Sequence, residues 1–327
     1  MLIVVLVAVV GCSRSEGVSD RAVDRVLIVS LPGVAWADVE QGRLPTLRAF
    51  ADDAAVGDLS TRIGRRIADH VSAYLTIGAG TRAVAPPLDA GVAVDAGEAY
   101  RGVPASQLLE RRLGEVPDGV AYLALGAARD ANEASAFGAD VGALGDELEA
   151  AGVRRAVVAN ADEVEGILND PPVDEAYHRE AATALMTSDG KVPAGSVSRD
   201  LLIDDPAAPF GYRIDQSAVL AAFDDVWRDE SGRLVVLVEA SDLTRTAAYR
   251  QRVTPSRGRA MRTAALADAD ALLAELLRRV DPDHDAVLVL SPVAPPGAPA
   301  LGIAAVQAPG APAGMLRSAT TRRNGYV

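Results

Sequence analysis

Residues 26–33 read VLIVSLPG, a continuous run of Val, Leu and Ile halted by Pro32 and Gly33. A strand with one wet face alternates apolar and polar residues. An unbroken apolar run instead points to a strand covered on both faces, as in parallel sheets packed between helices. Similar runs recur at Ala121–Leu125, Ala156–Ala159, Leu234–Val238, Val287–Leu290 and Ile303–Val306. The segments between them carry helical signals. Pro45–Phe50 has proline in its first turn, Ser106–Leu113 opens on a Ser cap, and Val141–Ala151 stops at Gly152. From Arg257 to Val280 the residues Met261, Ala265, Ala269, Leu272, Leu273, Leu276 and Val280 recur three or four apart until Asp281-Pro282. Strand and helix in alternation predict an α/β fold, with a mainly parallel central sheet flanked by helices on both faces. Residues 160–215 show no strong strand and read as an insertion or cap over the strand ends.

Upstream of this domain, Met1–Gly11 is an apolar run, too short to span a bilayer, which needs about 20 residues. It fits the core of a secretory signal. Val9-Val10-Gly11-Cys12 resembles the bacterial lipobox, which makes Cys12 the expected lipid-attachment residue. Residues 1–12 then form the leader, 13–25 a small polar tether, and 26–327 the folded domain, placed outside the cell membrane and held to it. The chain has 327 residues and 49% are apolar, enough for a sizeable core. Its formal net charge of −13 repels phosphate backbones, and 4% aromatic content leaves few stacking platforms, so nucleic acid is excluded as a partner. A single cysteine rules out an internal disulfide and a Cys-rich metal cluster.

Motifs for the common chemistries are missing. His70, His178 and His284 stand singly, without zinc-site spacing, and read as surface or loop residues. Neither a G-x-S-x-G elbow nor a Walker A loop is present. Gly78-Ala79-Gly80 lacks the third glycine of a dinucleotide fingerprint and reads as a tight turn. Arg62, Arg65 and Arg66 make a basic cluster in an acidic chain and are candidates for binding an anion, since guanidinium groups fork onto phosphate or carboxylate. Asp242 follows the strand 234–238, and ligand crevices of α/β sheets lie at the carboxyl ends of strands. It is therefore a candidate ligand for a hard metal, or else part of a helix cap at Ser241-Asp242.

Taken in order, VLIVSLPG, LPTLRAFADDAAVGDL, YLTIGAG, LVVLVEASD, RTAALADADALLAELLRRVD and VLVLSP resemble the alkaline phosphatase-like superfamily of phosphodiesterases, sulfatases and phosphoglycerate mutases. They are closest to a divergent branch of extracytoplasmic, actinobacterial-type membrane-associated proteins. The resemblance implies that the chain continues past TTRRNGYV, so that the domain is incomplete at its C-terminus and a later segment is a second route to the membrane. It also implies two metals, with Asp242 in the place of one ligand. The departures are several. Pro32 stands where active members carry a metal-binding Asp, Ser291-Pro292-Val293-Ala294 replaces Ser-Asp-His-Gly, and Thr246 stands where a His belongs. Two metals clamp the attacking and leaving oxygens of a displacement, and a site stripped of its donors loses them to water.

The expected function is thus a non-catalytic binding or scaffolding module of the cell envelope. It would need no cofactor, and its partner would be an envelope protein or a small anionic ligand. An active phosphate- or sulfate-ester hydrolase is the alternative. It would use zinc, manganese or magnesium at Asp242 and Asp38, with Thr61, Ser72 or Thr76 as the nucleophile. A sugar- or anion-binding α/β protein is a third reading.

Overall fold

The computed structural model describes residues 23–316 except 65, 89, 101, 164–176 and 230–231. Cys12 and the rest of the expected leader, the expected tether up to residue 22, Arg65 and residues 317–327 lie outside the described residues. β1 (Arg25–Ser30) runs through the middle of an eight-stranded sheet with β2 (Ala55–Ser60), β3 (Arg154–Val158), β4 (Ala194–Ser196), β5 (Leu234–Glu239), β6 (Asp285–Leu290), β7 (Leu301–Gln307) and β8 (Gly314–Met315), in the order β4-β3-β5-β1-β6-β7-β2-β8. The first five strands in that order are parallel. β7 is antiparallel to both β6 and β2, and β8 lies parallel to β2.

All six residues of β5 are buried, as a strand with no wet face requires. The period of two then sorts side chains between layers. Leu27, Val29, Val236 and Val238 join Leu47, Phe50, Phe223, Leu266, Leu272 and Leu273, so one face is covered by α2 (Pro45–Asp52), α7 (Gln216–Trp227) and α9 (Pro255–Leu277). Val26, Ile28, Val235 and Leu237 pack under Val71, Tyr74, Leu75, Ala128 and Leu148, so α3 (His70–Ala79), α5 (Leu125–Glu133) and α6 (Ala143–Ala150) cover the other. Short α1 (Trp36–Glu40) follows β1, α4 (Ala105–Leu113) packs on a side sheet, and α8 (Asp242–Tyr249) starts just past β5.

Several expectations are corrected. The run at 121–125 supplies Val120–Tyr122, which pairs antiparallel with Ala93–Asp95 and Lys191–Val192 in a small side sheet instead of joining the central one. Helix α4 begins at Ala105 after Pro104, so Ser106 is not its cap. The stretch 160–215 contributes β4, an edge strand of the main sheet, as well as a 3-10 segment at Glu180–Ala184 and a hairpin of Leu202–Asp204 with Tyr212–Ile214. Gly78 and Ala79 are helical, not a turn, and only Gly80, at φ 64°, ends α3 in the left-handed region. Gly78 is there for space: a Cβ on it would sit 2.3 Å from the carbonyl oxygen of Thr183.

Candidate functional site

The carboxyl ends of β1, β5 and β3 meet in one polar layer. Ser30 and Glu239 are register partners on the sheet face that α3 covers. The Ser30 Oγ lies 2.7 Å from the Tyr74 hydroxyl, and Tyr74 donates in turn to Oε2 of Glu239. The Ser241 hydroxyl donates to the other oxygen of Glu239 at 2.7 Å and accepts from the Asn160 amide at 3.1 Å. Burial pushes Glu239 up to about 7. Burial and the adjacent Glu239 carboxyl raise the Tyr74 phenol well above its ordinary value. A carboxyl whose two oxygens both accept from hydroxyls is satisfied without a cation.

Two strand-end aspartates carry buried arginine partners. Asp242, the first residue of α8, takes Nη2 and Nε of Arg245 on Oδ1 at 2.6 and 3.1 Å, and the backbone amide of Ile214 lies within 3.2 Å of both its oxygens. Arg245 is 0% exposed and spends Nη1 on the Asn160 carbonyl at 2.7 Å. Past β3, Asp162 accepts from Nε and Nη2 of Arg179, which also reaches Glu98 at 2.6 Å and the Ala93 carbonyl at 3.1 Å. Burial alone would raise Asp162, but Arg179 outweighs it and holds the carboxyl below its usual range.

Beside them stands a cluster that sequence spacing missed. His178 lies between Glu163 and Glu180, and His70, in the first turn of α3, shares the Glu180 field. Burial lowers His70 despite the pull of Glu180, so it is held neutral, and its Nδ1 and the Oε2 of Glu180 are buried without a partner. His178 directly precedes the stretch Arg179–Ala184, whose 3-10 part lies against α3 where Gly78 lacks a Cβ, and both His178 and Glu180 act on His70. His284 is at the other end of β6, exposed and bonded to Asp281 at 2.9 Å.

The nucleophile candidates are held in different ways. Ser72 donates to Asp69 at 2.8 Å and accepts from the Ala85 amide at 2.9 Å, while Thr76 accepts from the Ala83 amide at 3.0 Å, so both hydroxyls fasten the chain returning after α3. Thr61, just past β2, is buried with Oγ1 unpartnered. Asp38 is shared by Arg43 at 3.0 Å and Arg262 at 2.7 Å. Arg62 and Arg66 sit exposed on a two-stranded hairpin before α3. A cleft of about 260 Å³ opens beside Asp242 and Thr246, walled by Arg213, Arg257, Met261 and Asp268. A larger hollow, about 440 Å³ at Phe50, Leu277 and Gln307, borders Asp285 at the start of β6, at the amino ends of the parallel strands and away from this layer.

These donors do not suit a divalent ion. Asp242 and Asp38 are each neutralised by arginine, and among the described residues no group of three or more His, Cys, Asp or Glu side chains could hold a metal. No protein-family model and no curated protein sequence matches the chain. Solved structures do match in shape. The lipoteichoic acid synthase LtaP from Listeria monocytogenes is 11% identical, with 99% of this chain and 73% of that one covered at a TM-score of 0.50. An alkaline phosphatase variant from the Antarctic bacterium TAB5, with magnesium bound, is 10% identical, with 89% and 93% covered at 0.50. The fold is alkaline phosphatase-like. Asp242, at the carboxyl end of β5 and a metal-ligand candidate by the sequence resemblance, is paired with the Arg245 guanidinium.

Proposed function

We propose that this alkaline phosphatase-like domain is a non-catalytic binding module, carried on the cell envelope by a lipid at Cys12. The observation that carries the reading is the Arg245–Asp242 pair. An ion needs carboxylate oxygens with open lone pairs, and Asp242 already accepts from a guanidinium and a backbone amide. The cleft beside Asp242 and Thr246, at the carboxyl end of β5, offers a ligand two arginines and an apolar wall of Ala260 and Met261. The envelope placement rests on the Val9–Cys12 lipobox. Among the described residues no helix is long and apolar enough to cross a membrane.

Elemental analysis after incubation with zinc, manganese and magnesium and gel filtration, with phosphate- and sulfate-ester assays on the same sample, tests the reading. The expected result is no near-stoichiometric metal and no turnover. Retained metal, together with hydrolysis that Asp242→Ala abolishes, would replace it with the ester-hydrolase alternative.

A further inference from the structure

His178 is one side chain set between two carboxylates. Its Nε2 is 3.4 Å from Oε1 of Glu163, at the exit of β3, and its Nδ1 is 3.5 Å from Oε1 of Glu180, on the 3-10 segment. A neutral imidazole has one N–H and one lone pair, so it can serve one carboxylate and must turn a lone pair on the other. Only the imidazolium presents an N–H to both. The backbone holds the ring in this position: the His178 amide donates to Asp162 at 3.0 Å and its carbonyl accepts from the Ala161 amide at 2.9 Å. The next residue, Arg179, is fastened to Asp162 and Glu98.

We propose that His178 is a protonation-dependent clasp: as an imidazolium it ties Glu163 to Glu180 and so closes the strand-end layer, and on losing its second proton it lets the two carboxylates part.

The groups facing it set the pH at which this happens. Asp162 and Glu163 face the ring from the exit of β3, Glu180 from the 3-10 segment and His70 from α3, while Arg245 and Arg252 act on Glu163 from α8 and the turn that follows it. Burial by itself would lower the ring's affinity for a proton, but Glu180 and Glu163 outweigh it and hold His178 at about 9. His70, which also feels Glu180, is kept neutral by burial and adds no competing positive charge. The clasp is therefore shut at neutral pH and opens in alkali. Glu180–Ala184, the segment it pins, lies against α3. The device does not depend on whether the domain turns over a substrate.

Three histidines give three sets of ring signals, which His178→Gln and His70→Gln assign in an NMR titration of the whole chain. The His178 midpoint is expected near 9. Amide exchange over Glu180–Ala184, corrected for the intrinsic rate, should rise as the wild type passes that pH and should already be raised at pH 7 in His178→Gln. A His178 midpoint at or below that of free histidine, or equal protection of Glu180–Ala184 in the two proteins at pH 7, would overturn the clasp. Should His178→Gln not fold, Glu163→Gln serves in its place. It removes one of the two carboxylates and must lower the midpoint, and an unchanged midpoint refutes the proposal.

Discussion

Glu239→Gln is expected to make the protein more stable at high pH than the natural chain, relative to the difference between them in acid. Glu239 is buried at the end of the central strand β5, and burial moves its carboxyl from 4.5 to about 7. The unfolded chain gives up that proton near 4.5 while the folded chain keeps it, so between those two values the folded state binds more protons and loses stability as pH rises. The full displacement corresponds to about 3 kcal/mol, roughly three-quarters of it between pH 5 and pH 8. A glutamine carries no proton to lose, and its amide can still meet both neighbours. Its oxygen can accept from Ser241 or Tyr74, and its nitrogen can donate to the other hydroxyl, because Tyr74 then turns its own O–H toward Ser30. Urea denaturation of both proteins at pH 5, 6, 7 and 8 isolates the term, since His70 and His178 titrate alike in each and cancel in the difference. The variant should gain about 2 kcal/mol on the natural protein across that range. A difference that stays flat with pH would mean that Glu239 is ionised in the folded state across the whole range and that burial does not hold its proton against the two hydroxyls that donate to it.

Other outcomes follow from the same geometry. Arg245→Met leaves Asp242 buried without its cation and should cost about 3 to 5 kcal/mol by urea denaturation, whereas the double variant Arg245→Met with Asp242→Leu should recover much of that loss. Gly78→Ala would improve helix propensity by about 1 kcal/mol in an open helix. Here the new Cβ meets the Thr183 carbonyl at 2.3 Å, so overpacking of about 1 to 3 kcal/mol prevails and the thermal midpoint falls. Cys12→Ser should move the protein from the membrane to the soluble fraction on cell fractionation, and continued membrane association would mean another anchor or no processing at Cys12.

The central sheet was legible because burial on both faces writes itself into residue type: VLIVSL and LVVLVE admit little but strands, and β1 and β5 lie where those runs are. Strands with weaker demands left weaker marks. β2, AVGDLS, is mostly half-buried and mixes Gly and Asp into its run, and the three residues of β4 were hidden in a stretch that looked like a cap. Gly78-Ala79-Gly80 misled in the opposite direction. A glycine required by the close pass of another backbone looks, in sequence, like one required by a turn, and only Gly80 has the positive φ of a terminator. Position along a strand was enough to single out Asp242. The chemistry there depends on Arg245, three residues on, and that spacing describes an exposed surface pair equally well. Once α8 starts directly past the end of β5, packed against α9 with its first five residues buried, the same spacing carries the guanidinium into the interior beside the carboxylate, where it reaches across to the Asn160 carbonyl past the neighbouring strand end. His70 and His178 are the harder case, since no local rule links them. His178 and Glu180 come to His70 from a segment more than a hundred residues later that lies against α3, where the missing Cβ of Gly78, which passed for a turn signal, leaves room for the Thr183 carbonyl, and both histidines act on Glu180.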